Sequence, residues 1–298
     1  MIRLALLATA LALPLPVAAQ AANRMIEPVG QWEIDSDDES CTLVRSFTAL
    51  EPGDTTMFIR SWGPFTAFRV SVAGPTMQRD DSRAIFARAS FGEPEEAKDI
   101  VAIGSSYRSG PMVAFQGRVD DTRNGAGTNA FGSFIYHLPE RPDVNIAVPF
   151  TWEATQLYFD GSAMAPQTLR LDAMETARTL MEDCERDLMS EWEFGPPDQT
   201  GFARAPVLEN PQVVGERMRF PDNVIVNHSS RIVQMRFHVG ADGEVLDCEI
   251  QYPNWSNGNR RRSCREISDT AEFTPALDAT GAPIDSLYRA TLFLIRFD

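Results

Sequence analysis

Few side chains in this sequence have the types that acid–base or metal chemistry requires. The candidates are the histidines His137, His228 and His238 and the cysteines Cys41, Cys184, Cys248 and Cys264. The ordinary pKa of histidine suits proton transfer near neutral pH. In a catalytic site the histidine lies beside a nucleophile or a metal. The sequence contains no G-x-S-x-G elbow, Walker loop, H-E-x-x-H or C-x-x-C motif that would supply that setting. We therefore predict that the histidines are surface residues and that the protein has no catalytic site.

One group of residues in the first half of the chain has the composition of a hydrolytic site. Asp120 and Asp121, together with His137, would supply carboxylates and an imidazole, which can act as general base and general acid. The acidic pair directly follows a predicted strand that ends at Val119, so we favour a solvated turn. A hydrolase with its site in the first domain is kept as an alternative hypothesis. Another alternative is a small-molecule carrier whose β-rich domain encloses an apolar cavity.

Three clusters of charged or sulfur-containing residues have side chains that could bind a metal or an anion. The acidic run 35–39 lacks the glycine and the distal carboxylate of a calcium loop. A zinc site that combines Cys248 and Cys264 with His238 conflicts with strand alternation, which turns Cys248 and His238 to opposite faces. The run Arg260–Arg262 begins a predicted helix and is interpreted as a solvated edge. We expect no metal and no cofactor.

The N-terminal residues have the layout of a secretory signal. Arg3 precedes a largely apolar run from Leu4 to Val17, and small residues follow at 18–22. Prolines interrupt this run, which is shorter than the roughly 20 residues of a membrane span. We predict that residues 1–21 are a cleaved signal peptide and that the mature protein, periplasmic or secreted, has no membrane span.

Charge and composition limit the partners and divide the chain. With 27 basic and 42 acidic residues the formal net charge is −15, which repels nucleic acid and anionic membrane surfaces. A stretch rich in glycine and proline, without apolar periodicity, occupies 194–211. We predict a linker there, between a first domain at 22–193 and a second domain at 212–298.

The four cysteines are expected to form two disulfides, because export places them in an oxidising compartment. Four cysteines allow three pairings. Two of them lie on each side of the predicted linker, and domains generally fold as units. The pairs Cys41 with Cys184 and Cys248 with Cys264 are therefore favoured.

The first domain is predicted to be rich in strands and to end in a helix. Short β-prone runs occur at 56–60, 67–72, 84–88, 112–119, 130–137 and 155–159, with turn residues between them. A sandwich or a strongly bent sheet fits this pattern. Apolar residues then recur every three or four positions from Met174 to Trp192, after a capping-box pattern at Asp172–Glu175. Cys184 lies on the apolar face of this helix, so a bond to Cys41 would attach the helix to the start of the domain.

Alternation of apolar and polar residues is clearest in the second domain. The predicted elements are strands at Ile232–Val239 and Val245–Tyr252, a short helix at Arg260–Glu272 and a last strand at Tyr288–Phe297. The first two strands form a β-hairpin around the turn Gly240–Gly243. Alternation places Leu246 and Cys248 on the inner face of the second strand. Cys264 lies on the apolar face of the helix, so both thiols point to the same interior.

The order of hairpin, helix and final strand over about 212–298 resembles the C-terminal domain of the TonB energy-transducer family. The matching segments are Arg231–Val239, Asp242-Gly243-Glu244-Val245, Phe273-Thr-Pro-Ala276, Gly281-Ala-Pro-Ile284 and Leu292–Phe297. Relatives in that family pair an exposed strand edge with a peptide from an outer-membrane transporter. The resemblance implies a non-catalytic binding module with a protein or peptide partner in the cell envelope, an outer-membrane protein being one candidate.

The last strand is the predicted docking edge. The residues that alternate between its two faces are Thr291, Leu292, Phe293, Leu294 and Ile295. Both faces are more apolar than those of the hairpin, and an edge of that kind either recruits another strand or is covered. We predict that residues 291–295 bind the partner by strand pairing. Cover by residues 218–227, or by the first domain, is the alternative.

Together these patterns predict an α+β protein. Its β-rich N-terminal domain is closed by a helix, and a small TonB-like domain of antiparallel sheet plus helix follows. The predicted function is that of a non-catalytic binding protein of the periplasm or cell envelope.

Overall fold

The structure of the protein is a computed structural model. It describes residues 24–48, 54–63, 67–77, 84–107, 110–119, 131–136, 147–161, 164–192, 202–217 and 231–294. The predicted signal peptide and the candidate residues Asp120, Asp121, His137, His228 and Ile295 lie outside the described residues.

Strands dominate the described part of the chain. They are β1 (Arg24–Ile26), β2 (Pro28–Asp37), β3 (Ser40–Phe47), β4 (Thr55–Ser61), β5 (Ala67–Ala73), β6 (Ala84–Ser90), β7 (Lys98–Tyr107), β8 (Gly110–Val119), β9 (Phe131–Tyr136), β10 (Ala147–Phe150), β11 (Gln156–Gly161), β12 (Met164–Arg170), β13 (Val207–Leu208), β14 (Arg231–Val239), β15 (Val245–Tyr252), β16 (Phe273–Thr274), β17 (Ala276–Leu277), β18 (Pro283–Ile284) and β19 (Ser286–Leu294). The helices are α1 (Met174–Glu191), α2 (Pro211–Arg217) and α3 (Asn257–Ser268), and a 3-10 turn spans Pro94–Glu96.

The predicted α+β class is wrong, because the protein is mostly β. Eleven strands join one large, nearly closed, barrel-like sheet, and the described part contains only three α-helices. Periodicity correctly indicated many short strands in the first region. It did not show that nearly all of them pair with one another, because pairing between strands that are distant in sequence leaves no local signal.

Closure of the large sheet depends on the first two strands. Neighbouring strands follow the order β1-β12-β11-β6-β7-β8-β5-β4-β3-β2, and β10 lies beside β8. β1 and β2 stand at opposite ends of this order, yet only Glu27 separates them in the chain. The two edges of the sheet therefore approach each other at Glu27. Its carbonyl oxygen accepts a 2.9 Å hydrogen bond from the backbone N–H of Thr48, and its carboxylate lies 3.1 Å from the guanidinium of Arg170.

A packed apolar core lies between the large sheet and α1. Cys41 and Leu43 on one face of β3 belong to the same buried cluster as Met181 and Leu188 on α1. The predicted disulfide between Cys41 and Cys184 is present, with an S–S distance of 2.03 Å. It attaches the middle of the helix to a buried strand, as the periodicity of the helix indicated.

The start of α1 differs from the predicted capping box. No side chain caps the helix, which begins at Met174 after Ala173, a residue with a left-handed φ of 50°. The carboxylate of Asp172 lies instead 2.6 Å from the guanidinium of Arg45, whose side chain is buried. Because a buried cation needs a counter-charge, this ion pair takes the carboxylate that would otherwise cap the helix.

The second sheet has the strand order β15-β14-β19-β9. β14 and β15 form the predicted hairpin, with Phe237 opposite Cys248. Its turn needs glycine at Gly243, where φ is +86° and a Cβ atom would lie 2.3 Å from the carbonyl oxygen of Phe273. Phe237 and its neighbours on the same face of β14 pack with Ile267 of α3 in a second apolar cluster.

The open flank predicted for the last strand is occupied within the chain. β19 pairs antiparallel with β14 on one side and parallel with β9 on the other, where Arg289 is opposite Phe131 and Leu294 is opposite Tyr136. β9 belongs to the region predicted as the first domain. The apolar character of β19 is therefore explained by burial between two strands of the same chain.

Part of the predicted linker at 194–211 is folded. Phe202 and Leu208 are buried in the second apolar cluster, and β13 pairs with β16. The side chain of Asn210 donates a 2.9 Å hydrogen bond to the carbonyl oxygen of Thr270. Proline and glycine interrupt regular secondary structure, but irregular backbone can still contribute apolar side chains to a core.

We expect the two disulfides to differ in their contribution to stability. They join residues 143 and 16 positions apart, so chain entropy gives about 5 kcal/mol for Cys41–Cys184 and about 3 kcal/mol for Cys248–Cys264. Replacing Cys41 and Cys184 by serine should lower the free energy of unfolding in urea more than the same change at Cys248 and Cys264. Equal losses, or the opposite order, would contradict this account.

Candidate functional site

A groove between β15 and α3 is the candidate site. Its volume is about 430 Å³. The strand contributes Val245, Leu246, Asp247, Cys248 and Glu249, and the helix contributes Asn257, Arg260, Arg261, Cys264, Arg265 and Ser268. The groove has an extended backbone on one side and arginine side chains on the other. It is therefore suited to an extended, polar ligand more than to a compact apolar one.

The groove exists because β15 is an edge strand with a helix beside it. Within the described ranges β15 pairs only with β14, so the hydrogen-bonding groups along its other edge face outward. The short connection 253–256 returns the chain and ends at Ser256, whose hydroxyl accepts a hydrogen bond from the backbone N–H of Asn259 at the start of α3. Ile267 then buries the inner side of the helix in the second apolar cluster. The outer side is left to line the groove.

A β-bulge turns Leu246 out of the core. His238 is opposite Asp247 and Val239 is opposite Val245, so Leu246 is the extra residue on β15. The inward position predicted for Leu246 is wrong, since simple alternation assumes an unbroken register. Its side chain is 53% exposed, the largest exposed fraction among the exposed large hydrophobic residues of the described part. An apolar contact is thus available at one end of the groove.

The second predicted disulfide holds the two walls together. Cys248 on β15 and Cys264 on α3 are joined with an S–S distance of 2.06 Å and a Cα–Cα distance of 5.5 Å. Both residues are partly buried and line the groove. The spacing between strand and helix is therefore fixed covalently, and the groove does not depend on a ligand to form it.

Charges on the two walls are only partly paired. The guanidinium of Arg260 lies 2.6 Å from the carboxylate of Glu249 and donates a 2.6 Å hydrogen bond to the side-chain oxygen of Asn257. Burial raises the pKa of Glu249, and the positive charge of Arg260 opposes that rise. Arg261 and Arg265 are exposed, and neither forms an ion pair with any residue that the structure describes. Two free cations therefore remain on the helix wall.

The face of the second sheet that was predicted to be polar and outward contacts the first region. Glu39 lies in the turn between β2 and β3. Its carboxylate forms a 3.2 Å ion pair with the guanidinium of Arg236 and accepts a 3.1 Å hydrogen bond from the side chain of Gln251. The same guanidinium lies 3.9 Å from the ring centroid of Trp192, a cation–π contact. Glu39, the last residue of the acidic run 35–39, thus anchors the second sheet. No group of metal-ligating side chains occurs in the described part of the chain.

A buried cluster of charged and polar groups lies at the junction of the two regions. Arg289 on β19 is 1% exposed, and its guanidinium donates hydrogen bonds of 3.2 Å and 3.0 Å to the carbonyl oxygens of Gly63 and Ala67. Glu185 of α1 is also buried, and the hydroxyl of Ser61 donates a hydrogen bond to its carboxylate. Burial raises the pKa of Glu185 to about 8, and burial lowers the pKa of Arg289 to about 10. Each charge limits the shift of the other.

The side chains of this cluster are closed to solvent. A serine, a carboxylate and a guanidinium could in principle assist acyl transfer. However, both side chains are buried, with Ser61 0% exposed and Glu185 7% exposed. The cluster instead holds three segments that are far apart in sequence.

The residues predicted to bind a partner are not brought to an open edge. Thr291 and Leu292 are fully buried, and the Thr291 hydroxyl donates a 2.8 Å hydrogen bond to the side-chain oxygen of Gln234. The backbones of Phe293 and Leu294 pair with strands on both sides. Of the histidines, only His238 is described. Its side chain is largely buried, with the imidazole 3.9 Å from the carboxylate of Asp285.

Comparison with known proteins gives no assignment. No family model matches the sequence, and no curated protein or solved structure is detectably similar to it. The likeness to the TonB C-terminal domain therefore stays a prediction. The two disulfides are compatible with an extracellular or periplasmic location. Separately, none of the helices in the described ranges is long and apolar enough to cross a membrane.

The buried carboxylate of Glu185 should make stability depend on pH. Its folded-state pKa is raised, so its contribution is fully present below about pH 4.5 and is lost as the pH rises toward 8. The free energy of unfolding should therefore fall more steeply between pH 5 and 8 in the wild type than in Glu185→Gln, by up to about 1.4 kcal/mol per pH unit. Urea titrations at several pH values would measure this, with the exposed Glu182→Gln as control. Equal slopes for wild type and Glu185→Gln would contradict the assignment.

Proposed function

We propose that this protein is a non-catalytic binding protein of the cell envelope that docks an extended peptide by strand pairing along β15. One observation carries the proposal: the outer edge of β15 has no strand partner in the described part of the chain and faces a preformed groove against α3. An edge strand beside a helix is a recurring arrangement for peptide recognition by β-augmentation. Backbone hydrogen bonds then supply affinity, and the walls of the groove supply selectivity.

The edge of β15 fits strand addition better than the edge of β19 that the sequence indicated. β19 has strands on both sides, so its backbone groups are already paired. β15 is held in place on its inner side by Ile250, which is buried, while Leu246 at the bulge projects a free apolar side chain. We therefore keep strand pairing, the mode of docking predicted from the TonB resemblance. We assign it to β15, at the other edge of the same sheet, instead of to β19.

Two observations support a location in the cell envelope: the N-terminal sequence and the two disulfides. Two disulfides indicate an oxidising compartment, and the N-terminal sequence indicates export. The resemblance to the TonB C-terminal domain implies an extended segment of an outer-membrane protein as a candidate partner. We propose such a segment, or a free peptide, as the partner.

Hydrogen exchange would locate the docking edge. The oxidised full chain is used to select binders from a library of displayed short peptides, and exchange is then measured with and without the best binder. Amides of β15 should exchange more slowly in the complex, and amides of β2, which also stands at the end of a sheet order, should not. Backbone N-methylation of the peptide should abolish binding, because it removes the donors needed for strand pairing. Protection elsewhere, or binding that survives N-methylation, would disprove strand addition at β15.

Leu246 should contribute an apolar contact to peptide binding. Leu246→Ser removes a side chain that is 53% exposed, so it should leave the thermal midpoint nearly unchanged and weaken peptide binding by about three- to tenfold. Val29→Ser is the matched control, since Val29 is 51% exposed on β2. Fluorescence anisotropy with the selected peptide would measure both. Equal affinities for the two variants would place the ligand away from the bulge.

A further inference from the structure

The two walls of the groove between β15 and α3 carry opposite charges. The helix wall presents Arg260, Arg261 and Arg265, and the strand wall presents Asp247 and Glu249. The Arg260–Glu249 ion pair joins the walls and is satisfied internally. The charges left without an ion pair within the described ranges are Arg261 and Arg265 on the helix and Asp247 on the strand. A ligand in the groove thus meets cations on one side and an anion on the other.

The spacing of the two free arginines matches the repeat of an extended chain. Arg261 and Arg265 are four residues apart on α3, which corresponds to about 6 Å along a helix. Side chains on the same face of a strand are two residues apart, which corresponds to about 6.6 Å. The short connection 253–256 and the disulfide Cys248–Cys264 keep the helix alongside β15. A strand added to β15 can therefore direct two successive side chains of one face to Arg261 and Arg265.

The other face of an added strand meets a different environment. Successive side chains of a strand point to opposite faces, so residues between those that meet the arginines point away from α3. On β15 Asp247 alternates with Cys248, which faces α3, so its carboxylate is directed to that other face; it forms no ion pair in the described part, and a carboxylate placed beside it would be repelled. Acidic residues are therefore favoured at every second position of the ligand and disfavoured at the positions between.

The arginine wall is an exception on an acidic protein. A formal net charge of −15 repels acidic ligands at long range. Ionic strength of about 0.15 M screens that repulsion beyond about 8 Å, whereas contacts within the groove are shorter. The groove can therefore select acidic segments by local contact.

We propose that the groove selects extended peptides in which acidic residues alternate with neutral or basic ones. This rests on the proposed function, since it requires strand pairing along β15. Arg261 and Arg265 receive the carboxylates, and Asp247 disfavours an acid at the positions between. The partner class is a segment with an acid at every second residue, as distinct from a polyacidic tail.

The test compares peptides that differ only in the order or the charge of their residues. One peptide alternates Asp with Thr, a second contains the same residues with all Asp contiguous, and a third alternates Asn with Thr. Binding to the oxidised full chain is measured by isothermal titration calorimetry at low and at physiological salt. We expect the alternating acidic peptide to bind about tenfold more tightly than the other two, with the difference shrinking as salt rises.

Charge reversal on the helix wall identifies the residues responsible. Arg261→Glu combined with Arg265→Glu should weaken binding of the alternating acidic peptide by at least about tenfold and leave the Asn–Thr peptide unaffected. The control combines Arg262→Glu with Arg186→Glu, which changes the net charge equally at exposed arginines outside the groove. Circular dichroism verifies that all variants fold. All four positions are on helix surfaces, so the folded state is expected to be retained.

The outcomes separate this inference from the proposed function. If the three peptides bind equally and protect β15 amides from exchange, the charge preference is wrong and strand docking stands. If the contiguous acidic peptide binds as tightly as the alternating one, the positional preference is wrong. If none of the peptides binds, the charge preference is wrong, and strand docking is judged by the exchange measurement with the selected peptide. Equal loss of affinity in the control variant would show that net charge alone governs binding, which also overturns the inference.

Discussion

Burial of the Arg289 guanidinium is the constraint on which the arrangement of the rest depends. A charge removed from water must be met by polar partners, and the carbonyl oxygens of Gly63 and Ala67 and the nearby carboxylate of Glu185 provide them. These partners come from the large sheet and from α1, while Arg289 comes from the last strand. Satisfying one cation thus brings the end of the chain against its first half. At the same junction β9 pairs with β19 and covers that edge of the second sheet.

Because β9 covers one edge of the second sheet, a partner strand can be added only at the opposite edge among the described strands of that sheet. The second sheet is covered on one face by α3 and contacts the first region on the other through Glu39, Arg236 and Trp192. With β9 at one side, the strand at the opposite end is β15. Its bulge, its covalent link to α3 and the free arginines of that helix are then features of a single groove. In a mostly β protein with an acidic surface, a strand edge flanked by cations differs physically from its surroundings.

The two disulfides serve the two halves of this arrangement. Cys41–Cys184 attaches α1 to the large sheet and so positions Glu185 for the junction. Cys248–Cys264 sets the width of the groove. Since the walls are fixed before any ligand arrives, binding would not require the ordering of the site, which reduces its entropic cost.

The sequence by itself determined the local elements and the sulfur pairing of this protein. Alternation in β14, helical periodicity in α1 and the glycine turn are short-range signals that were read correctly from neighbouring residues, and the cysteine pairing followed from the positions of the cysteines on either side of the predicted linker. Only the tertiary structure decided the mostly β class, the cover over Thr291 and Leu292, the exposure of Leu246 and the burial of Arg289. All of these depend on which strand lies beside which and on a one-residue bulge. The pairing of β19 with β9 and the contact of Arg289 with Gly63 join residues more than a hundred positions apart, and no periodicity within either partner records them.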